Sequence, residues 1–208
     1  MDFTGYPPVP PLGSLRIARY NDVPRLAAIA TASYHETPAF AWERRYHAAF
    51  PEDTMQEFAK MFADFITDPH FVVVVATGAF DPEEHSKTNA TLRPIAIFPP
   101  AHPVIVGVAI WQLEPGSCRH GQFSSLASSM NTVYHNGLNR DISPHHGLLL
   151  REAIDQVRMG INFDNHQWLQ AFAVHPAYRD HGHSGRLLEW GKELARFDQV
   201  HQGVLATG

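Results

Sequence analysis

Cysteine is almost missing from this chain of 208 residues, because Cys118 is the only one. A single thiol cannot form an internal disulfide, so we expect an intracellular, reducing location, with the cytoplasm as first choice. Long apolar runs are missing too: the longest, residues 71–76, falls far short of the ~20 residues that span a bilayer. The first twelve residues have neither the basic start nor the apolar middle of a secretory signal. We therefore expect no membrane partner.

Charged residues are also scarce, at 18% of the chain, and acidic residues outnumber basic ones to give a formal net charge of -5. This balance argues against nucleic acid or an anionic membrane as the main partner, since both require a basic surface. A cationic partner, such as an amine, suits the balance better. The length and the 44% hydrophobic content fit one globular domain with a real core.

Histidine, in contrast, is abundant, and its fourteen copies raise the question of a metal site. The neighbours His145 and His146 face different ways in a helix and cannot easily share one ion. The sequence contains no Cys-rich or His-x-x-x-His pattern with a carboxylate that would supply a zinc site. We therefore predict no metal and expect the histidines to give the surface a pH-dependent charge.

Proline and polar residues divide the chain. Residues 1–13 are rich in proline and are predicted to form an extended arm outside the core. Residues 14–208 are predicted to form one domain with two insertions, near 78–103 and 114–144. Both exceed the ~12–15 residues usual for structureless loops, so each insertion is functional or partly unstructured.

Hydrophobic periodicity predicts an alternation of strands and helices over the domain. Two valine-rich strands are expected to pair as a hairpin. The predicted elements are a strand at 15–19, a helix from 21 or 22 past 30, a helix from 51 or 53 to 67, strands at 71–77 and 104–113, a helix at 146–159, a strand at 168–174, a helix at 186–197 and the start of a last strand at 202–206.

The most informative segment lies between the predicted strand at 168–174 and the helix that follows. It reads Val174-His175-Pro176, then Arg179-x-x-Gly182-x-Ser184-Gly185. Proline ends the strand, and the glycines allow a tight turn in which several backbone amides meet at a helix N-terminus. Unpaired amides and the positive end of a helix both favour an anion, so the segment predicts a phosphate-binding loop. A plain structural turn is the alternative.

This pattern resembles the GNAT superfamily of acetyl-CoA-dependent N-acyltransferases. In that family Arg/Gln-x-x-Gly-x-Gly/Ala follows a strand ending in Val-x-Pro, and a Leu-Leu pair, here Leu187-Leu188, follows in the next helix. Ser184 departs from the usual glycine or alanine but is small enough to keep the loop. The resemblance implies an α/β (α+β) fold with a mixed, mostly antiparallel central sheet flanked by helices.

The family continues with a helix and more strands, so this chain looks truncated after the start of its fifth core strand. The resemblance then puts the usual tyrosine acid in doubt. An unpaired last strand would leave pairing with a second copy, as a homodimer, open.

The resemblance also implies a coenzyme site. The loop would hold the pyrophosphate of acetyl-CoA, the acyl donor, and the main chain of residues 172–174 would pair with the pantetheine arm like an added strand. The predicted cofactor-binding residues are Phe172, Ala173, Val174, Arg179, Asp180, His181, Gly182, His183, Ser184 and Gly185.

Acyl transfer further needs a stabilised oxyanion and a proton acceptor. Backbone amides near Ala173 or Val174 are expected to polarise the thioester carbonyl. Strand alternation puts Gln170 on one face with Trp168, Phe172 and Val174. We name Gln170, which could orient a water or the amine, and Glu114, which could act directly or through water, as catalytic candidates. Purely structural roles for both are the alternative.

The acceptor is expected near the first two helices and their connection. The candidate contacts are Tyr34, Glu36, Phe40 and Trp42, and their aromatic character favours a bulky or partly apolar amine. The sequence thus predicts an N-acetyltransferase for a small-molecule or protein amine. A non-catalytic acyl-CoA-binding protein and an enzyme that uses this fold for another reaction are the alternatives.

Overall fold

The computed structural model describes residues 5–90, 103–125, 133–161 and 164–204. Ten main helices and strands occur in this part of the chain: β1 (Leu15–Ile17), α1 (Val23–Tyr34), α2 (Pro38–Glu43), α3 (Pro51–Thr67), β2 (Phe71–Gly78), β3 (Val104–Gln112), α4 (Pro144–Met159), β4 (His166–Val174), α5 (His183–Asp198) and β5 (His201–Val204). Short 3-10 helices lie at Tyr20–Asp22, Glu84–Lys87 and Pro176–Tyr178.

The strands in the described ranges form one sheet in the order β1-β2-β3-β4-β5. Neighbouring strands are antiparallel except β4 and β5, which are parallel and are joined through α5. The predicted hairpin is confirmed, with Phe71 opposite Gln112 and Gly78 opposite Val104. The predicted fold class, a mixed and mostly antiparallel sheet flanked by helices, is confirmed as well.

The sheet separates two apolar layers. Helices α1 and α3 cover one face, where Leu26, Ile29 and Phe62 are fully buried, and α5 covers the other with Leu187 and Leu194. The valines of β2 alternate between the layers, as the period of two along a strand requires. This is why β2 is apolar throughout instead of alternating with polar residues.

Helix α2 is the element that the sequence did not predict. It is too short, at six residues, for its hydrophobic period to be recognised. Its start is fixed by Thr37, whose side chain accepts the Phe40 amide at 3.3 Å, and by Pro38 in the first turn. These local signals mark a helix start without indicating how far the helix extends.

The N-terminal segment differs from the predicted arm outside the core. Arg119 is 1% exposed and donates to the carbonyl oxygens of Pro7 at 3.1 Å and Pro8 at 2.9 Å. The indole of Trp190 on α5 donates to the carbonyl of Pro10 at 3.2 Å. Three carbonyl oxygens between residues 7 and 10 thus accept bonds from the domain, so this stretch packs onto it. Residues 1–4 lie outside the described residues.

Each insertion is tied to the domain by an ion pair. In the first, Glu84 binds the Arg25 guanidinium of α1 through both carboxylate oxygens, at 2.5 and 2.8 Å. In the second, Asp141 is fully buried and accepts from Arg44 at 2.5 Å. Residues 91–102 and 126–132 of these insertions, and 205–206 of the predicted last strand, lie outside the described residues. None of the helices in the described ranges is both long and apolar enough to cross a membrane.

Candidate functional site

One edge of β4 is open along its C-terminal half. The strand pairs with β5 from His166 to Leu169, and beyond Leu169 it has only β3 as a strand partner within the described residues. Within the described residues, the backbone between Gln170 and Val174 therefore has no strand partner on the side away from β3, and this open edge lies next to the candidate loop.

The pairing with β3 decides which amides point to this open edge. The amide of His175 donates to the Val106 carbonyl on β3 at 3.0 Å. In an antiparallel pair alternate residues point to and away from the partner, so the amides of Phe172 and Val174 face the open edge and that of Ala173 faces β3. The sequence predicted that the amide of Ala173 or Val174 lies near the thioester carbonyl. Of these two amides only that of Val174 faces the open edge, and the amide of Phe172 faces it as well.

Gln170 is the extra residue of a β-bulge. Ile110 lies opposite Ala171, but the next residue of β3, Trp111, lies opposite Leu169, so Gln170 has no partner of its own on β3. A bulge shifts the alternation of side chains by one residue. Sequence reasoning assumed an unbroken strand, and that assumption is wrong here.

The bulge moves the Gln170 side chain to the other face of the sheet. Gln170 lies beside Phe65 and Phe71, which pack on the α1 and α3 side, whereas Phe172 and Val174 pack on the α5 side. The predicted face shared by Trp168, Gln170, Phe172 and Val174 is therefore wrong. Gln170 is still the first residue of β4 after the described pairing with β5.

The loop before α5 presents unpaired amides to solvent. Asp180 and Gly182 have left-handed backbones, with φ of 65° and 72°, and Gly182 caps α5. The Arg186 amide is the first to bond back, to the Gly182 carbonyl at 3.2 Å. Over the described residues, the amides from Asp180 to Gly185 donate to no protein acceptor. Such a helix start suits an anion.

A cavity of about 260 Å³ joins the loop to the open edge of β4. It is lined by Ser33 from α1 and by Tyr178, together with seven of the ten residues predicted to bind the coenzyme, namely Phe172, Ala173, Val174, Arg179, Asp180, His183 and Ser184. The other three, His181, Gly182 and Gly185, are exposed on the same loop. The structure thus brings the predicted set together, and its role stays a prediction.

The end of α1 closes one side of this cavity. The Tyr34 hydroxyl accepts the Phe172 amide at 3.3 Å, and Glu36 binds the Arg179 guanidinium at 2.5 Å. Burial raises the pKa of Tyr34, so the phenol stays protonated at neutral pH. Two of the four residues predicted to contact the acceptor therefore meet the residues predicted to bind the coenzyme, Tyr34 at β4 and Glu36 at the candidate loop.

The other two lie elsewhere. Phe40 is 6% exposed and packs against Arg44 and His47 in the core. Trp42 stacks on His146 of α4 with ring centroids 4.3 Å apart. The structure does not bring either side chain to the cavity, because α2 turns Phe40 inward and carries Trp42 toward α4.

Glu114 is also remote from this cavity. It lines a separate pocket of about 410 Å³ together with Pro8, Cys118 and Phe197. Ala109 lies opposite Phe172, and five residues of extended chain separate Ala109 from Glu114. At ~3.3 Å per residue this is roughly 16 Å, too far for proton transfer to a substrate held at Phe172. The sequence shows that Glu114 follows a strand, but it does not show how far along the sheet the end of that strand lies from Phe172.

A buried polar network behind the loop was not anticipated. The Tyr178 hydroxyl donates to Glu84 at 2.7 Å and accepts the Asp81 amide at 2.9 Å, while Arg25 holds the same carboxylate at 2.8 Å. Burial, together with the hydrogen bond to Glu84, raises the pKa of Tyr178 to about 12. The first insertion thereby braces the coenzyme loop, a contact between distant segments that no local sequence signal reveals.

His175 ends β4 beneath this network and is 1% exposed. Its Nδ1 accepts the Ala177 amide at 3.2 Å, which suits a neutral ring. Burial is the main reason that its pKa falls to about 4, with the nearby charge of Arg25 contributing and that of Glu84 opposing. The ring is therefore neutral in the folded chain at any pH near 7.

This depressed pKa predicts a loss of stability in acid. Between the folded value of about 4 and the unfolded value of 6.5, the unfolded chain binds the proton more tightly, so stability falls as pH decreases through this window. We expect His175 to cost about 2 kcal/mol of unfolding free energy between pH 7 and pH 5. Urea unfolding at both pH values measures it.

The matched control is His175→Asn, whose side-chain oxygen can accept the same amide but does not titrate. We expect this variant to lose less stability than the parent between pH 7 and pH 5. An equal loss in both proteins would mean that other groups carry the acid sensitivity.

In the described ranges, no group of three or more His, Cys, Asp or Glu side chains is arranged to hold a metal ion. Over these residues the site thus consists of backbone amides, a guanidinium and an open strand edge.

The chain is similar to proteins that carry a name or a title. The chain is 30% identical over 202 residues to a protein named Acetyltransferase from Stachybotrys chartarum (strain CBS 109288 / IBT 7711), covering 97% of this chain and 78% of that protein. No family model matches the chain. A solved structure titled as histone acetyltransferase HPA2 and related acetyltransferase, from Corynebacterium glutamicum ATCC 13032, aligns over 94% of this chain and 77% of its own at 16% identity, with a TM-score of 0.49.

The first of these relatives is similar enough, over enough of both chains, to establish the family. The chain belongs to the GNAT acetyltransferases.

Proposed function

We propose that this protein transfers an acetyl group from acetyl-CoA to the nitrogen of an amine acceptor. The observation that carries the proposal is the combination of unpaired loop amides and an open strand edge on one continuous cavity. The loop amides suit an anion, and the strand edge suits an extended chain that contains amide groups. Coenzyme A has a diphosphate followed by such a chain.

The loop would hold the diphosphate. Amides from Asp180 to Gly185 supply donors at the positive end of α5. Arg179, 46% exposed in its side chain, supplies a guanidinium beside them. Hydrogen bonds to charged groups contribute about 1.5–3 kcal/mol each, so even two of them make a large part of coenzyme affinity.

The open edge would hold the pantetheine arm. The amides and carbonyls of Phe172 and Val174 face this edge and would pair with the amides of that arm, as in strand addition, once Tyr34 releases the Phe172 amide. An arm that starts at the loop and follows β4 backward would bring its sulfur toward Gln170, the first residue of β4 after the described pairing with β5.

The chemistry then requires few protein groups. A neutral amine attacks the thioester carbonyl, the new C–N bond forms, the C–S bond breaks, and the proton lost by nitrogen balances the one gained by sulfur. An open-edge amide donates to the carbonyl oxygen as its charge grows. Fixing both reactants in place supplies much of the remaining rate enhancement.

A non-catalytic acyl-CoA-binding protein is the second candidate. It is favoured by the placement of the two predicted catalytic side chains, since Glu114 is remote and Gln170 cannot accept a proton at neutral pH. A measurement of catalytic turnover distinguishes this candidate from the proposed acetyltransferase.

Titration with acetyl-CoA tests the proposal. A saturating ligand at a hundredfold excess over its dissociation constant should raise the unfolding free energy by about 2.7 kcal/mol. S-acetylpantetheine, which has the arm without the diphosphate, is the matched control and should bind far more weakly. Thiol release with a panel of amines then reports turnover. Absence of stabilisation by acetyl-CoA would overturn the proposed function, and binding without thiol release would favour the second candidate.

A further inference from the structure

We infer that the amine acceptor binds in a cleft on the face of the sheet that α1 and α3 cover, lined by Phe65, Phe71, Gln112, Arg158 and Gln170, and that it carries a carboxylate and an aromatic or similarly apolar group. This inference rests on the proposed function and names the substrate class of the same site. The cleft has a volume of about 290 Å³. That is close to the lower end of the ~300–1,000 Å³ typical of ligand clefts, so it suits a small molecule.

The apolar wall of the cleft consists of two aromatic rings. Phe65 from α3 and Phe71 from the start of β2 meet edge to face, with centroids 4.6 Å apart. Both are only partly buried against the core layer of α1 and α3. An apolar or aromatic group in the cleft would cover the remaining ring surface and gain the usual stabilisation of aromatic packing.

The polar wall is a chain of three side chains. Arg158, in the last turn of α4, donates to the side-chain oxygen of Gln170 at 3.1 Å. The side-chain amide nitrogen of Gln170 donates in turn to the side-chain oxygen of Gln112 at 2.5 Å. These bonds orient the guanidinium over the cleft. Arg158 makes no ion pair with a carboxylate in the described part of the chain. A ligand carboxylate can therefore pair with it side by side, the geometry that a guanidinium favours.

The cleft adjoins the proposed reaction centre along β4. Gln170 lines the cleft, and it is two residues from Phe172. At ~3.3 Å per residue the separation is roughly 7 Å. An acceptor anchored by its carboxylate at Arg158 can thus extend its amine along β4 toward a thioester held at Phe172.

A pair of acceptors that differ only in the carboxylate tests the assignment. We expect the parent protein to acetylate phenylalanine with a kcat/KM about tenfold or more above that for phenethylamine, because a charge-assisted pair is worth roughly ten- to a hundredfold. Arg158→Gln should remove this preference by lowering kcat/KM for phenylalanine about tenfold or more beyond any change for phenethylamine. Arg151→Gln, on the same helix but not among the cleft residues, is the matched control and should change neither value.

Measurements of ligand binding test the assignment even if the protein does not acetylate these amines. In calorimetric titrations N-acetylphenylalanine should bind to the parent, and Arg158→Gln should weaken it about tenfold or more, whereas N-acetylphenethylamine should be insensitive to the substitution. Equal effects of Arg158→Gln on both ligands, or no preference in the parent, would overturn the acceptor assignment. Failure of acetyl-CoA itself to bind is a different outcome, which overturns the proposed function.

Discussion

Replacing Gly182 with valine is expected to weaken acetyl-CoA binding by about ten- to a hundredfold, the equivalent of one charged hydrogen bond lost from the loop. A Cβ at this position meets no protein atom within 4 Å, so its branched side chain would project into the space where the diphosphate is proposed to lie. The left-handed backbone, with φ of 72°, should also cost about 1–2 kcal/mol of stability. Calorimetric titration and urea unfolding measure the two effects separately.

Gly13→Val is the matched control for this prediction. Gly13 also has a left-handed backbone, with φ of 58°, and open space around its Cβ position, but it precedes β1 and is not among the residues that line the cavity. It should lose a similar amount of stability and keep full coenzyme affinity. If both variants bind acetyl-CoA like the parent, the loop is not the anion site.

Replacing Asp141 with alanine is expected to cost about 3–5 kcal/mol of unfolding free energy, the typical cost of leaving a buried charge without its partner. Asp141 is fully buried and accepts from Arg44 at 2.5 Å and from the Thr54 hydroxyl at 2.6 Å. Arg44 is itself 6% exposed and would keep Glu57, at 2.9 Å, as a nearby counter-ion. This places the expected loss toward the lower end of the range. Urea unfolding at pH 7 measures it.

The exposed pair between Lys60 and Asp64 provides the comparison. Lys60→Ala should cost under about 1 kcal/mol, because exposed pairs are largely offset by hydration. A small loss for Asp141→Ala, comparable to that for Lys60→Ala, would show that the second insertion is not anchored through this carboxylate.

The local signals of the sequence predicted the strand, loop and helix of the site well. Val174 and Pro176 mark the end of β4, and Gly182 marks the start of α5, because proline and glycine restrict or extend backbone choice within one or two residues. The prediction for α3 likewise gave its end at Thr67 and its start at 51 or 53, of which the structure has Pro51. In each case the signal and the structure that it specifies lie in the same short segment.

Features that depend on distant partners could not be predicted in the same way. The bulge at Gln170 is defined only by the pairing of β4 with β3. The extra residue places the side chains before it on the face of the sheet opposite to the one that unbroken alternation predicts. Glu84 braces the loop from a segment about 90 residues before Tyr178, and Arg119 holds proline carbonyls more than 100 residues away. A charged residue in a polar stretch gives no sign of whether it will be buried.

The Tyr34 hydroxyl and the Glu36 carboxylate, at and just beyond the end of α1, would make the proposed coenzyme binding an exchange of partners. Tyr34 must release the Phe172 amide, and Glu36 must release Arg179, before a ligand can take those groups. The affinity of the site would then be the difference between two sets of bonds, one within the protein and one to the ligand.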